Sequence, residues 1–392
     1  LIKSFMFNEK YNIEIKLRIE DIDREDWDNL AVYLNNPFYN WDWFFNLENS
    51  KSVSQNTGWQ PLYFLIYLSK ELIGIAPLFL KNHSYGEFVF DQSFARLAED
   101  LDLKYFPKLI GMSPYSPIEG YQFLYKENIN KKETTLILLE NIEIFAKKNK
   151  ILSCNFLYAD HEWGKLLINQ KYQKWINTSS QWVSSGEEKF EDFLNRFNSN
   201  QRKNIRKERK SISKEKIYIK TITGNEINQD LMKNMHFFYE QHCLRWGVWG
   251  SKYLTYDFFL NCINNKENIL IFCAYEELTN KIMAMSMCIK NNEKLWGRYW
   301  GCSRDVNNLH FELCYYKPIE WAIQNNIKFF DPGAGGQHKR RRGFYAKETF
   351  SFHKWFDKNM ENIIGEWLTR VNPETERLIK IENESIPFKQ EK

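Results

Sequence analysis

Hydrophobic and polar positions alternate in short runs in both halves of the chain, which is the pattern of half-buried β-strands. In the first half, residues 61–67 and 73–80 predict two strands joined by a tight turn, and residues 87–90 predict a third. The second half repeats this order at an offset of 208 positions, with strands predicted over 269–275, 282–289 and 295–301. The chain is therefore expected to contain two copies of an antiparallel meander.

Each meander is followed by a predicted helix and a further strand. Residues 136–148 and 151–156 form this pair in the first copy, and residues 312–325 and 327–330 form it in the second. Because this order of a meander, a helix and a strand occurs twice, the sequence predicts an α+β fold. Each of its two domains would hold a mixed, mostly antiparallel sheet with flanking helices.

The domain boundary is predicted near residue 195, where a basic helix and then an alternating strand over 217–222 restart the pattern. We therefore expect an N-terminal domain over 1–195 and a C-terminal domain over 196–355. A tail over 356–392 carries a helical apolar stripe, which is expected to pack back on the body of the protein.

Composition narrows the class of protein. Aromatic residues make up 17% of the 392 residues, which excludes a disordered chain. Apolar runs fall far short of the roughly 18 residues that a membrane span needs. The seven cysteines are odd in number and include no C-x-x-C pair, which favours a reducing, cytoplasmic location and argues against disulfides and a metal site.

The numbering begins at Leu1, so we expect the translated start, and any targeting peptide, to precede it.

Basic residues are concentrated in two islands, although the net charge is only +4. Residues 196–220 hold ten Lys or Arg against two Glu, and residues 339–347 hold five more. Such islands are typical of a surface that binds a polyanion such as RNA, a phosphorylated cofactor or anionic lipid, or of a solvated helix face. Candidate phosphate contacts on the first island are Arg202, Lys203, Arg206 and Lys207, and no DNA partner is expected.

Several motifs, in this order, resemble one known family. They are Phe106-Pro-Lys-Leu109, Ser113-Pro-Tyr-Ser-Pro-Ile-Glu-Gly120, Asn200-Gln-Arg-Lys-Asn-Ile-Arg-Lys-Glu-Arg209, Gly297-Arg-Tyr-Trp-Gly-Cys302, His310-Phe-Glu-Leu-Cys-Tyr-Tyr316 and Gly333-Ala-Gly-Gly-Gln-His-Lys339. Over about residues 15–370 the chain resembles the FemAB-like N-acyltransferases of the GNAT superfamily, a group labelled as peptidoglycan biosynthesis or recognition proteins. The resemblance implies two tandem GNAT-like (acyl-CoA N-acyltransferase) domains, the second carrying most of the active site.

The resemblance also implies how the chemistry would run. A bulged strand over 295–301 would offer backbone N–H groups to the oxyanion, and a helix opening around 307–311 would receive the donor's phosphates. The usual phosphate signature is altered here, since Arg298-Tyr-Trp-Gly-Cys-Ser303 ends in serine. No cofactor is expected to be bound permanently, and the co-substrate is left open among acyl-CoA, acyl-carrier protein and aminoacyl-tRNA.

Three residues of the second domain are candidates for catalysis. Glu312 is a candidate base or cation ligand, or alternatively a carboxylate that stabilises a helix N-terminus. His310 suits a base, since a helix start depresses its pKa, or alternatively it caps or packs. Lys339, which follows the glycine-rich turn 333–336, would stabilise developing charge or bind phosphate, unless this stretch is only a basic surface turn.

A wider set of residues is expected to bind substrate. The extended loop 113–120 borders the cleft by resemblance, although a purely structural loop is nearly as good an interpretation. Aromatic residues on a strand, such as Trp300, are likewise often part of the core instead of a binding site. The candidates are Tyr115, Ser116, Glu119, Arg298, Trp300, His338 and Arg342.

The sequence therefore predicts an N-acyltransferase in which a primary amine directly attacks the donor, without a covalent intermediate or a metal. The different-class alternative is a non-catalytic protein that recognises a cell-wall precursor or RNA through its basic faces. The acceptor would be a small molecule or a cell-wall precursor bearing an amine, with tRNA as a further candidate partner. The sequence leaves the oligomeric state open.

Overall fold

The structure of the protein, a computed structural model, describes residues 5–6, 10–247 and 250–389. The strands are β1 (Phe5–Met6), β2 (Tyr11–Lys16), β3 (Trp59–Leu68), β4 (Glu71–Lys81), β5 (Lys108–Gly111), β6 (Leu124–Tyr125), β7 (Ser153–Phe156), β8 (Gln173–Val183), β9 (Ile217–Thr223), β10 (Ile269–Glu276), β11 (Ile282–Lys290), β12 (Lys294–Cys302), β13 (Phe329–Asp331) and β14 (Tyr345–Trp355).

The helices alternate with these strands along the sequence. They are α1 (Arg24–Ala31), α2 (Trp41–Asn49), α3 (Gln92–Asp100), α4 (Lys131–Lys148), α5 (His161–Asn169), α6 (Phe190–Asn195), α7 (Ser199–Ser213), α8 (Gln229–Arg245), α9 (Tyr256–Asn261), α10 (Leu309–Phe311), α11 (Lys317–Gln324) and α12 (Lys358–Glu384). A π-helical turn, Glu312–Tyr316, joins α10 to α11, so that residues 309–324 form one helical segment.

The chain divides into two compact units, each assembled from two stretches of sequence. The first unit contains residues 1–177 and 349–376, and the second contains 178–348 and 377–392. Residues 178–195, which the sequence places in the N-terminal domain, belong to the second unit because Trp182 and Phe193 are fully buried in its core.

The sheet of the first unit combines antiparallel and parallel pairing. Strands β1 to β5 follow one another as antiparallel neighbours, with β6 also paired to β4. β7 then lies parallel to β5, because α4 carries the chain back along the sheet. The sheet is completed by residues 352–355 of β14, antiparallel to β7. Buried side chains of α12, among them Ile364 and Leu368, also belong to this unit.

The second unit repeats the same order of strands. β9, β10, β11 and β12 are successive antiparallel neighbours, β13 lies parallel to β12, and β8 pairs antiparallel with β13. The predicted α+β repeat is thereby confirmed. The first unit finishes its sheet with β14, which comes from its second stretch of sequence, and the second unit finishes its sheet with β8, which precedes the repeat in the chain. The sequence predicted neither strand.

The predicted strand over residues 87–90 is wrong. This stretch forms no strand in the described structure, and β5 takes the third position of the first meander. The reason is a buried ion pair, since Lys108 Nζ donates to the Glu87 carboxylate at 2.8 Å. Phe88 adopts a positive φ of 58° and Phe90 is left 72% exposed, so the apolar alternation does not mark a buried strand.

No helix in the described parts of the chain combines the length and the apolar character needed to cross a bilayer.

Candidate active site of the second unit

Strand β12 carries a bulge in the region where the sequence places the oxyanion site. Met287 of β11 pairs with Tyr299, whereas the next residue, Cys288, pairs with Gly297, so Arg298 is the extra residue. Such a bulge interrupts the ladder locally and frees backbone groups. The predicted bulged strand is thus confirmed.

The Arg298 side chain anchors the bulge rather than extending into solvent. Its guanidinium donates to the Asp331 carboxylate at 3.0 Å and to the carbonyl oxygen of Gly297 at 2.7 Å. The side chain is only 4% exposed. Arg298 therefore joins β12 to the end of β13, and a direct substrate contact by this residue stays a prediction.

A cavity of about 440 Å³ opens beside the end of β12. Its lining residues come from the end of α8, the end of β12, the following loop and the start of the 309–324 helix. They are His242, Arg245, Trp246, Trp300, Cys302, Asp305, Val306, Leu309 and His310. The helix begins at Leu309, inside the predicted range, after Asn308 in the left-handed region. Trp300 and His310, both predicted from the sequence, are brought together here, with ring centroids 5.2 Å apart.

His310 forms part of the cavity wall and is largely withdrawn from water. Burial lowers the pKa of its imidazole to about 4, and nearby cationic groups add to the effect. The ring is therefore neutral at neutral pH and has a nitrogen lone pair able to accept a proton.

His338 is held by a partner that the sequence did not reveal. The hydroxyl of Tyr315 lies 2.9 Å from Nε2 of His338, with Tyr315 itself buried. A Cβ at Gly336, where φ is 89°, would lie 2.4 Å from the His338 ring, so this position requires glycine. Burial and the nearby Arg342 lower the pKa of His338. Tyr315 lies in the irregular π-turn Glu312–Tyr316, and turns of this kind are frequent at functional sites.

Lys339 is buried beneath the glycine-rich turn, with 1% of its surface exposed. Its ammonium donates to the carbonyl oxygens of Gly333 at 2.7 Å and Ala334 at 3.0 Å. Burial lowers its pKa to about 8, against the opposing effect of Asp331. The amine therefore remains mostly cationic at neutral pH and supplies a positive charge in a poorly solvated place.

Glu312 is directed away from the cavity, into an ion pair with the basic helix α7. Arg209 donates to both carboxylate oxygens at 2.9–3.1 Å and also reaches Glu320 at 3.0 Å. Burial raises the pKa of Glu312, and Arg209 opposes this rise. A catalytic role for Glu312 stays a prediction, since the described contacts are those of a structural ion pair.

Arg342 makes a second connection to α7. Its guanidinium lies 3.4 Å from the ring centroid of Phe311 and donates to the Glu208 carboxylate at 2.9 and 3.0 Å. It also donates to the carbonyl oxygen of His338 at 3.0 Å. Arg342 is therefore buried and positions the turn that carries His338.

The predicted phosphate contacts lie along α7 but are not equally available. Arg202 donates to the carbonyl oxygen of Phe197 at 3.0 Å, and Arg206 forms an ion pair with Glu191. Lys203 and Lys207 are exposed. Helix α7 thus has an inner face that contacts residues of the candidate site and an outer face that is basic and exposed.

Three predicted substrate contacts lie in the first unit, in the turn after β5. Tyr115 is buried and donates to the carbonyl oxygen of Ser52 at 2.9 Å. Ser116 is buried as well, and Glu119 is partly exposed. Their role in substrate binding stays a prediction.

In the described parts of the chain, no group of three or more His, Cys, Asp or Glu side chains is arranged to hold a metal ion. The candidate groups for chemistry include the imidazoles of His310 and His338, the amine of Lys339 and the backbone of the β12 bulge.

Fold and site together define a tandem GNAT-type architecture, with a bulged central strand followed by a helix start in its second copy. The chain belongs to the FemAB-like family, described as peptidoglycan biosynthesis and recognition proteins, whose profile matches residues 18–390. The resemblance seen in the sequence is thereby confirmed.

Several solved structures are similar to this chain at low sequence identity, and FemX shares its fold. FemX is 12% identical, with a TM-score of 0.52 over 90% of this chain and 100% of FemX. A tandem GNAT protein from the clavulanic acid biosynthesis pathway is 9% identical, with a TM-score of 0.46 over 88% of this chain and 98% of its own. L-PGS from Bacillus licheniformis is 8% identical, with a TM-score of 0.48 over 83% and 94% of the two chains. No curated protein sequence matches the chain significantly.

Proposed function

We propose that the protein is an N-acyltransferase that moves an acyl or aminoacyl group to a primary amine, with its reaction centre in the second unit. The observation that carries the proposal is a cavity whose wall holds a neutral imidazole, His310, together with Trp300 of β12, the strand that bulges at Arg298. In the proposed site, the backbone of this strand serves as the oxyanion donor and the imidazole as the proton acceptor.

The reaction proceeds by direct attack. The amine nitrogen bonds to the carbonyl carbon of the donor, and the carbonyl oxygen takes up negative charge beside the backbone N–H groups of the β12 bulge. His310 accepts the proton that the amine nitrogen loses. The bond from carbon to the thioester sulfur or ester oxygen then breaks, and the cation of Lys339 stabilises the negative charge of the departing group.

The donor is a thioester or an aminoacyl-tRNA, and the exposed Lys203 and Lys207 favour a donor with an extended polyanionic part. The description of the family favours a peptidoglycan precursor as the acceptor. No metal or permanently bound cofactor takes part in the proposed steps.

The first experiment is mass spectrometry of ligands released by denaturing the protein after gentle isolation at low salt. A CoA or phosphopantetheine species would identify a thioester donor. A charged tRNA that is lost at higher salt would identify aminoacyl transfer and assign its binding to the outer face of α7.

Transfer to an amine is then measured with the identified donor. H310Q and K339M are expected to lower kcat by at least tenfold, about 1.4 kcal/mol of transition-state stabilisation. H161Q is the matched control, because His161 is exposed in the first unit, outside the proposed site, and contacts Glu162 and the ring of Phe350. Full activity in both site variants would refute the site, whereas ligand binding without donor consumption would favour the non-catalytic alternative.

A further inference from the structure

The first unit holds a cavity of its own, of about 380 Å³. Its wall is built by the turn after β2, the end of α2, the turn that follows α2, and the start of β3. A volume in this range suits a small molecule. None of its residues takes part in the acyl-transfer site proposed above.

Glu48 contributes a carboxylate to this wall that has no cation in ion-pair contact within the described chain, since Arg18 attracts it only from a longer distance. The hydroxyl of Tyr63 donates to Oε1 at 2.5 Å, and the backbone N–H of Ile19 donates to both oxygens at 3.0 and 3.2 Å. Among the residues that the structure describes, no Lys, Arg or His nitrogen lies within 4.0 Å of this carboxylate. A largely buried carboxylate that lacks a paired cation favours the binding of a cationic ligand.

The other charged groups near Glu48 do not neutralise it. Glu20 and Asp21 carry the same sign, and both are engaged by Arg18, at 2.5 and 2.8 Å. Arg18 lines the cavity, but its charge is already compensated.

Lys51 supplies the opposite charge on the same wall. It is exposed, and within the described chain it forms no ion pair. Its backbone has a φ of 60°, at the position just beyond the end of α2 where glycine is usually favoured. The cavity is therefore lined by one carboxylate and one ammonium that form no ion pair within the described chain, together with neutral amides such as Gln55 and Gln60.

We propose that this cavity binds a small zwitterion, an amino acid or a short peptide, with its ammonium on Glu48 and its carboxylate on Lys51. A simple cation would leave Lys51 unused, and a simple anion would be repelled by the nearby carboxylates. The site is independent of acyl transfer, since it needs neither the cavity nor the imidazoles of the second unit.

The protonation of Glu48 gives the site a characteristic pH dependence. Burial raises its pKa to about 7, so a bound ammonium has to compete with a proton. Affinity for a free amino acid, whose amine stays charged over this range, is therefore expected to increase from about pH 6 to pH 8, whereas a short peptide begins to lose its ammonium near about pH 8.

The test is an NMR titration of the full chain with glycine, L-alanine, L-lysine and glycylglycine. Saturable binding is expected for at least one of them, and E48Q is expected to weaken it about tenfold or more by removing a charge-assisted bond. K51G is expected to weaken it about threefold to tenfold; glycine suits the left-handed backbone, so the fold is retained. E20Q is the matched control, because Glu20 lines the same cavity but is exposed and paired with Arg18.

Three results would overturn the proposal. They are no saturable binding of any zwitterion up to about 50 mM, equal affinity in E48Q and the unaltered protein, or equal binding of N-acetyl-L-alanine, which lacks the ammonium. Acyl transfer is measured on the same samples, so failure of this site and failure of the proposed function are read separately.

Discussion

Removing the Arg209 guanidinium leaves the Glu312 carboxylate buried without its counter-charge. Glu312 is 4% exposed and takes three hydrogen bonds from Arg209. Breaking a buried pair in this way costs about 3–5 kcal/mol. The lower end applies here, because the Arg209 side chain is 20% exposed and Lys317 also attracts the carboxylate.

R209M is therefore expected to lower the free energy of unfolding by about 3 kcal/mol, while methionine keeps the apolar contact with Phe190. For a unit of this size that corresponds to a fall in Tm of about 6–12 °C. The double variant R209M/E312M is expected to lose no more than about 1 kcal/mol, since both charges are gone and Lys317 still pairs with Glu320.

The stability loss in R209M also depends on pH. Burial raises the folded-state pKa of Glu312 above its unfolded value, and loss of Arg209 raises it further. Between the two values the folded state binds more protons than the unfolded state, so stability falls as pH rises. The deficit of R209M is thus largest near pH 8 and shrinks near about pH 5.

Urea unfolding followed by tryptophan fluorescence at both pH values measures these terms in a double-mutant cycle. A coupling of about 2 kcal/mol between the two positions is expected. The reasoning is refuted if R209M unfolds within about 0.5 kcal/mol of the unaltered protein, or if the two substitutions are additive.

Three further outcomes are expected. G301A should lower stability by about 3 kcal/mol, because its Cβ would lie 2.0 Å from the carbonyl oxygen of Phe238. G297A should cost far less, since its Cβ would meet nothing closer than 3.5 Å; equal losses in urea unfolding would contradict this. NMR titration of His310 should show no protonation above about pH 5, because burial holds its pKa near 4. Lys339 titrates in the folded state near 8, below its unfolded value, so the stability of the unaltered protein relative to K339M should rise from about pH 8 to 10.5. A flat difference in urea unfolding would refute the burial argument.

Local patterns were enough to predict much of the second unit. The strands β10, β11 and β12 alternate clearly in the sequence, and the helix start near residue 309 follows them directly. The strands depend on neighbouring residues, which is why periodicity finds them, whereas the helix start was expected from the family resemblance.

The sequence was a poorer guide where partners lie far apart in the chain. Glu208 and Arg209 belong to a basic run that was interpreted as one charged surface. Both face inward, to Arg342 and Glu312, which lie 134 and 103 positions away. The contact between Tyr315 and His338 was missed for the same reason, since nothing local in the sequence specifies it.

The completion of the first unit's sheet by β14 has a consequence for how the protein can be divided. A fragment that ends at residue 195 contains β7 but lacks β14, so the ladder over residues 153–156 would lose the partner it has in residues 352–355. An open edge of this kind invites pairing with other chains and aggregation. The first unit therefore cannot be obtained intact by a single cut at residue 195, because its sheet also needs residues 352–355.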